Sequence, residues 1–130
     1  MNSSINYNWA DKSILIADDE LHNYIILEKA LKKTNIKIFH AENGEEAVKI
    51  FKQNPDINIV LMDIRMPEMG GLEATKYIRS VNRNIPIIAF TAYALSDDEA
   101  IALEFGCDDY ISKPVRPEYL LQKINEHLTK

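Results

Sequence analysis

One cysteine, Cys107, among 130 residues excludes a disulfide-built fold and fits a reducing cytoplasm. No apolar run approaches the roughly eighteen residues a membrane span needs. The longest, Ile85 to Leu95, is broken by Pro86 and Thr91. The opening, Met1 to Trp9, has neither a charged start nor an apolar stretch, which argues against a secretory signal. Basic clusters beyond pairs are missing too. Fifteen Lys and Arg stand against twenty Asp and Glu, a formal charge of −5, which argues against direct contact with nucleic acid or a membrane surface by this segment. What is present is ordinary: 46% hydrophobic and 27% charged residues, enough for one domain with its own core.

The pattern along the chain is an alternation. Residues 1–12 are polar and aperiodic and read as a tail or linker, with Trp9 packing back; the domain is expected over 13–130. Short apolar runs follow at Ser13–Ala17, Ile36–His40, Ile57–Met62, Ile85–Phe90 and Tyr110–Ile111. The first, third and fourth are rich in Ile, Val and Leu with little alternation, as strands covered on both faces are. Helical stripes lie between and after them: Tyr24, Leu27, Ala30 and Leu31; Ala47, Ile50 and Phe51; Leu72, Thr75 and Ile78; Ile101 and Phe105; Leu120, Ile124 and Leu128. Asn43 with Glu46, and Ser96 with Glu99, have helix-capping spacing, and Pro117 suits a first helical position. Gly70-Gly71, Gly106 and Asn54-Pro55 punctuate turns or helix ends. Strands alternating with helices predict a parallel α/β sheet with right-handed crossovers and helices on both faces. The lateral strand order is not readable from alternation.

In such sheets ligands sit beyond the carboxyl ends of the strands. At those exits stand Asp18-Asp19, Asp63, Thr91 and Lys113. If the first and third strands are neighbours, about 4.8 Å apart, their two carboxylates lie about 5 Å apart and at an effective dielectric near 20 repel by about 3 kcal/mol. Three need a cation, and Mg²⁺, which prefers carboxylates, carbonyls and water, fits better than Lys113 alone. An unfilled Mg²⁺ shell leaves room for phosphate oxygens. An Asp nucleophile is already ionised at neutral pH and needs no base, and its product with phosphorus is a labile acyl phosphate suited to a reversible signal. Mg²⁺ and Lys113 would neutralise the phosphoryl oxygens, and the Thr91 hydroxyl would bond one of them.

Four ordered motifs carry a resemblance: Ile14-Leu15-Ile16-Ala17-Asp18-Asp19-Glu20, Val60 to Gly71 with Met62-Asp63-Ile64-Arg65-Met66-Pro67, Ile87-Ile88-Ala89-Phe90-Thr91-Ala92, and Asp109-Tyr110-Ile111-Ser112-Lys113-Pro114. Over 13–128 the chain resembles the response-regulator receiver domain, and more narrowly the receivers of hybrid sensor histidine kinases. The resemblance implies a doubly wound, flavodoxin-like (βα)5 fold with strand order 2-1-3-4-5, an order for which receivers are a standard example. It implies a phosphoprotein of a two-component or phosphorelay system, in which Asp63 accepts a phosphoryl group from a phosphohistidine. The partners would be a histidine kinase or histidine phosphotransfer domain and a downstream target or output domain. Asp18, Asp19, Asp63 and the backbone carbonyl of Arg65 would hold Mg²⁺. Lys113 would bridge to the phosphoryl group, and Lys113-Pro114 would be cis. Thr91 and Tyr110 would switch, moving the helix-strand-helix surface from Ser96 to Leu128. Arg65 and Tyr93 occupy the positions where the family tunes lifetime, and their bulk predicts slow self-dephosphorylation.

Other readings stand beside this one. A receiver fold retained only as an interaction module is the alternative function. A flavin or nucleotide domain is disfavoured by the acidic, glycine-free turn Asp18-Asp19-Glu20-Leu21. A metal-dependent phosphatase is disfavoured because no second acid follows Asp63 by two residues and no substrate cap is encoded. Asp18-Asp19 alone would read as a helix-start pair, Asp63 as a turn former, Thr91 as a strand-end hydroxyl, Tyr110 as a core-edge aromatic and Lys113 as a solvated lysine; their convergence reverses that. His22 reads as an exposed helix position, His40 and His127 as surface residues, and Cys107 as a small buried one. Met62, Met66 and Met69 read as core and loop filler. The only catalysis expected is the domain's own Mg²⁺-dependent phosphorylation and dephosphorylation. Trp9-Ala10-Asp11-Lys12 resembles the lead-in of receivers appended to hybrid kinases. This favours a segment of a longer chain over a free-standing regulator, in the cytoplasm or on the cytoplasmic side of a membrane-anchored sensor.

Overall fold

The computed structural model describes residues 7–64, 66, 70–91 and 98–129. The elements alternate strictly: β1 (Ser13–Ala17), α1 (Leu21–Lys32), β2 (Lys37–Ala41), α2 (Gly44–Gln53), β3 (Ile59–Asp63), α3 (Gly71–Val81), β4 (Ile87–Thr91), α4 (Asp98–Glu104), β5 (Asp109–Ser112) and α5 (Pro117–Leu128). All strand pairings are parallel and the order is β2-β1-β3-β4-β5. The order implied by the resemblance is the one observed.

The continuous apolar runs follow from two covered faces. Leu15, Ala17, Val60, Met62, Ile87 and Ala89 pack in one core with Ala47, Phe51, Ala74, Ile78 and Ala102 of α2, α3 and α4. Ile14, Ile16, Ile59, Leu61, Ile88 and Phe90 point the other way, into a core with Leu27 and Leu31 of α1 and Leu120 and Ile124 of α5. Trp9 belongs to this second core. It is buried, its backbone N–H donates to the Thr34 carbonyl at 2.7 Å, and its ring stacks on Tyr7.

Local signals act as expected where they fall on described residues. Asn43 caps α2, its Oδ1 accepting from Glu46 N at 2.7 Å, while the Glu46 carboxylate reaches back to Glu42 N. Pro117 opens α5. Gly106 ends the α4 segment with φ 115°, a left-handed conformation suited to glycine. Ser96 lies outside the described residues.

The strand limits differ in a consistent way. β3 and β4 start two residues later than their apolar runs and extend one further, through Asp63 and Thr91. Pro86 has no N–H to donate to the ladder, although its carbonyl accepts from Val60 N at 2.9 Å. At the other end, Ile64 N donates to Phe90 O, so backbone pairing continues after apolar character stops. The polar side chains mark where chemistry begins, not where the strand ends. Among the described residues, no helix is long and apolar enough to cross a membrane.

Candidate functional site

The site lies at the carboxyl edge of the sheet, where β1 and β3 are neighbours and the chain leaves them toward opposite faces. Asp18 follows β1 and is fully buried; Asp63 ends β3 and is 4% exposed; Asp19 is exposed. One carboxylate oxygen from each lies within 4.8 Å of the others. The acid pair precedes the helix: α1 begins at Leu21 with no acidic residue in its first turn. Asp18 and Asp19 therefore face the site instead of serving the helix dipole.

Lys113, just beyond β5, reaches into this acid group. Its Nζ donates to Asp63 Oδ2 at 3.0 Å and to Asp18 Oδ2 at 3.3 Å. Burial works to lower the lysine pKa, but the hydrogen bond and charge of Asp63, then those of Asp18, outweigh it and the net shift is upward. Lys113 is thus an ammonium at neutral pH. Its backbone N–H donates to the Thr91 carbonyl at 2.9 Å, and the Lys113-Pro114 peptide is cis. Thr91 is buried at the end of β4. Tyr110 pairs with Ala89, and Thr91 with Ser112, so Tyr110 and Thr91 share one sheet face on adjacent strands. Tyr110 packs, partly buried, against the core under α2, α3 and α4. Arg65, with its carbonyl, and Tyr93 lie outside the described residues, as does Met69.

A close backbone approach completes the exit of β3. A Cβ on Gly71 would stand 2.1 Å from the Asp63 carbonyl oxygen and 2.7 Å from Ile64 Cα, whereas one on Gly70 would meet, among the described residues, nothing nearer than the Ile64 carbonyl oxygen at 4.0 Å. Only glycine at 71 lets α3 start against Asp63.

Two neighbours of the site are missing from the set drawn from the sequence. Phe90, buried beside Asp63 in register, presents its ring 4.6 Å from Lys113 Nζ, a cation–π contact hidden by its place in an apolar run. His40 is half-buried, not a surface residue: its ring stacks on Tyr24 and its Nε2 lies 3.0 Å from the Asp18 carbonyl. The strand-exit rule that selects Asp18 and Asp63 applies equally to the exit of β2, where His40 stands. His127 also departs from the surface reading. It is 8% exposed, because Asp109 Oδ2, 3.0 Å away, satisfies its ring nitrogen. His22 is exposed as expected, and Met62 and Met66 pack in or against the core. Cys107 is buried, and burial pushes its thiol up to about 11 despite a contact with Thr75 Oγ1, so it is an inert thiol.

Among the described residues the acid group is a set of hard oxygen donors with a net negative balance, three carboxylates against one ammonium. This donor set fits Mg²⁺, which takes carboxylate oxygens and completes its octahedron with water or phosphate.

A family model, the response regulator receiver domain, matches residues 14–125. The chain is 37% identical over 127 residues to hybrid signal transduction histidine kinase I of Dictyostelium discoideum, covering 92% of this chain but 7% of that protein. It is 34% identical over 120 residues to the polar-differentiation response regulator DivK of Brucella anthropi, covering 90% and 96% of the two chains. Among solved structures, a chain of the CheX–CheY–BeF3–Mg²⁺ complex from Borrelia burgdorferi is similar with a TM-score of 0.87 and 28% identity, over 96% of this chain and 97% of that one. A chain of the Saccharomyces cerevisiae complex of the histidine phosphotransfer protein Ypd1 with the receiver domain of the response regulator Ssk1 is similar with a TM-score of 0.85 and 32% identity, over 97% and 92%. Sequence, strand order and the match over residues 14–125 agree, and the chain belongs to the response regulator receiver domain family.

Proposed function

We propose that this receiver domain is a phosphoryl-accepting switch of a two-component or phosphorelay system, with Asp63 as the acceptor. The observation that carries the reading is the buried Asp63 carboxylate, within reach of Asp18 and Asp19 and bonded to Lys113 at 3.0 Å. A carboxylate oxygen of Asp63 attacks the phosphorus of a phosphohistidine on the partner. The P–N bond breaks, the imidazole nitrogen keeps the electron pair and takes a proton, and Asp63 becomes an acyl phosphate. Asp18, Asp19, Asp63 and the Arg65 carbonyl are the residues that would hold Mg²⁺, which would neutralise phosphoryl oxygens. Lys113 supplies a fixed positive charge at the same oxygens. Thr91, on the buried end of β4, moves its hydroxyl toward the phosphoryl group, and Tyr110, on the same sheet face, follows it inward. The surface of α4, β5 and α5 changes in consequence. Arg65 and Tyr93 slow hydrolysis of the acyl phosphate.

The phosphodonor is a histidine kinase or a histidine phosphotransfer domain. Similarity to a hybrid histidine kinase and to a complex holding a phosphotransfer protein supports that partner class. Residues 13–130 form the switching unit, and residues 1–12 lead into it. A cytoplasmic setting agrees with the lone buried thiol of Cys107.

The test is incubation with acetyl phosphate, with and without Mg²⁺, followed by intact mass. Wild type gains one phosphoryl group only with Mg²⁺, and Asp63→Asn gains none. A wild type that stays unmodified, or an Asp63→Asn variant that is labelled equally, overturns the reading.

A further inference from the structure

We infer that His40 is a positioning residue for the acidic site: its imidazole, clamped by Tyr24, fixes the carbonyl of Asp18 and so aims the Asp18–Asp19 segment. The inference rests on the phosphoacceptor reading and deepens it by naming what sets the site's affinity for its cation. β2 is the edge strand next to β1, and the register pairs His40 with Ile16 and Ala41 with Ala17. The exit of β2 therefore lies beside the point where β1 enters the site.

Asp18 is held at four atoms. Its N–H donates to the Ala41 carbonyl at 3.0 Å, its Oδ1 accepts from Glu20 N at 2.9 Å, and its Oδ2 accepts from Lys113 Nζ at 3.3 Å. The fourth contact is its carbonyl, 3.0 Å from His40 Nε2. A carbonyl only accepts, so Nε2 carries the proton and donates. Tyr24 limits rotation of that ring: the two centroids are 3.7 Å apart and the planes 7° from parallel. Tyr24 N in turn donates to the Glu20 carbonyl at 3.0 Å, so edge strand, loop and first helical turn close into one unit.

The consequence follows from peptide geometry. The Asp18 carbonyl and the Asp19 nitrogen share one rigid plane, so a donor on that carbonyl fixes the direction in which Asp19 leaves the loop. Asp19 is the exposed member of the acid group and the one with most freedom to lose. Loss of the Nε2–H donor leaves the plane free to turn and the three carboxylates less well aligned before the cation arrives. Groups that orient ligands in this way set metal affinity without touching the metal.

The probe is Mg²⁺ alone, titrated against wild type, His40→Phe and His40→Gln while backbone amide NMR signals of the β1–α1 loop are followed. Thermal unfolding is recorded in metal-free buffer. His40→Phe keeps a flat ring against Tyr24 and deletes the donor; His40→Gln keeps an N–H donor and deletes the ring. The expected result is a Mg²⁺ dissociation constant raised about tenfold in His40→Phe and substantially restored in His40→Gln. A His40→Phe affinity equal to wild type overturns the positioning role alone. Equal weakening in both variants, in step with lower thermal stability, assigns His40 to packing and also overturns it. A wild type that binds no Mg²⁺ overturns the phosphoacceptor reading itself, and the positioning role falls with it.

Discussion

At Lys113 two opposing effects meet. Burial disfavours the ammonium, and the carboxylates of Asp63 and Asp18 favour it by more. A lysine whose folded pKa is raised contributes stability that is present below its ordinary value of about 10.4 and lost only as pH rises through the folded value. The tie is therefore intact throughout neutral pH. Removing it exposes the repulsion it offsets, since Asp18 is fully buried and Asp63 nearly so. Lys113→Ala is expected to lose about 3 kcal/mol, the loss typical of leaving buried charge uncompensated. Asp63→Asn takes one negative charge from the same pocket and leaves Lys113 its bond to Asp18, so its stability stays within about 1 kcal/mol of wild type. Urea unfolding at neutral pH in the presence of a chelator checks the contrast; equal losses in the two variants would contradict it. Asp18, Asp63 and Lys113 were readable from the sequence because polar side chains at the ends of apolar runs stand out. Phe90 and His40 were not, because what matters about each is a partner supplied by another strand or helix.

Elements were legible in kind and less so in extent. The residue pattern of β3 and β4 changes from apolar to functional before their hydrogen bonding stops, so pattern alone ends both strands early. The short apolar stretch at Tyr110-Ile111 understates β5, which begins at Asp109 because that acid is anchored. Asp109 Oδ2 meets His127 Nε2 at 3.0 Å and Lys123 Nζ at 3.2 Å, and Oδ1 accepts from Tyr110 N at 2.8 Å. Arg79 fastens the same underside: its guanidinium donates to the carbonyls of Gly106 and Ile85 and pairs with Asp108 at 2.7 Å. The lower ends of α3, α4 and β5 are thus tied together, away from the carboxyl edge that carries the site. Burial pushes the Asp109 carboxyl up, but the bonds from His127, Tyr110 and Lys123 bring it below its ordinary value. Such a depressed carboxylate contributes stability that is complete above about pH 4 and fades as pH falls through the folded value. Asp109→Asn is expected to be about 1 kcal/mol less stable at neutral pH and to lose less on acidification than wild type. Urea midpoints measured from neutral pH down through the carboxylate range test this, and parallel curves for the two proteins would count against it.

At the scale of the whole molecule, the site exists only because the fold brings distant segments together. Asp18 comes from the end of β1, Asp63 from β3 and Lys113 from beyond β5, and the strand order makes β1 and β3 neighbours although α1, β2 and α2 separate them in the chain. Alternation announces a parallel sheet but says nothing about which strands are adjacent, so the lateral order had to come from resemblance and then from structure. This arrangement has a thermodynamic consequence. Unfolding parts Asp63 from the Asp18-Asp19 pair, so a cation held by all three binds the folded state far more tightly than the unfolded one. Mg²⁺ at a hundred times its dissociation constant should then raise stability by about 2.7 kcal/mol. The gain belongs to the assembled acid group and not to the net charge of −5, because general screening would stabilise any variant of similar charge. Asp18→Asn/Asp63→Asn should therefore show little Mg²⁺-dependent shift in its urea midpoint beyond that produced by NaCl at matched ionic strength. Wild type should show a shift that saturates with Mg²⁺. A non-saturating shift of the same size in both proteins would trace the effect to screening and detach it from the pocket at the carboxyl edge.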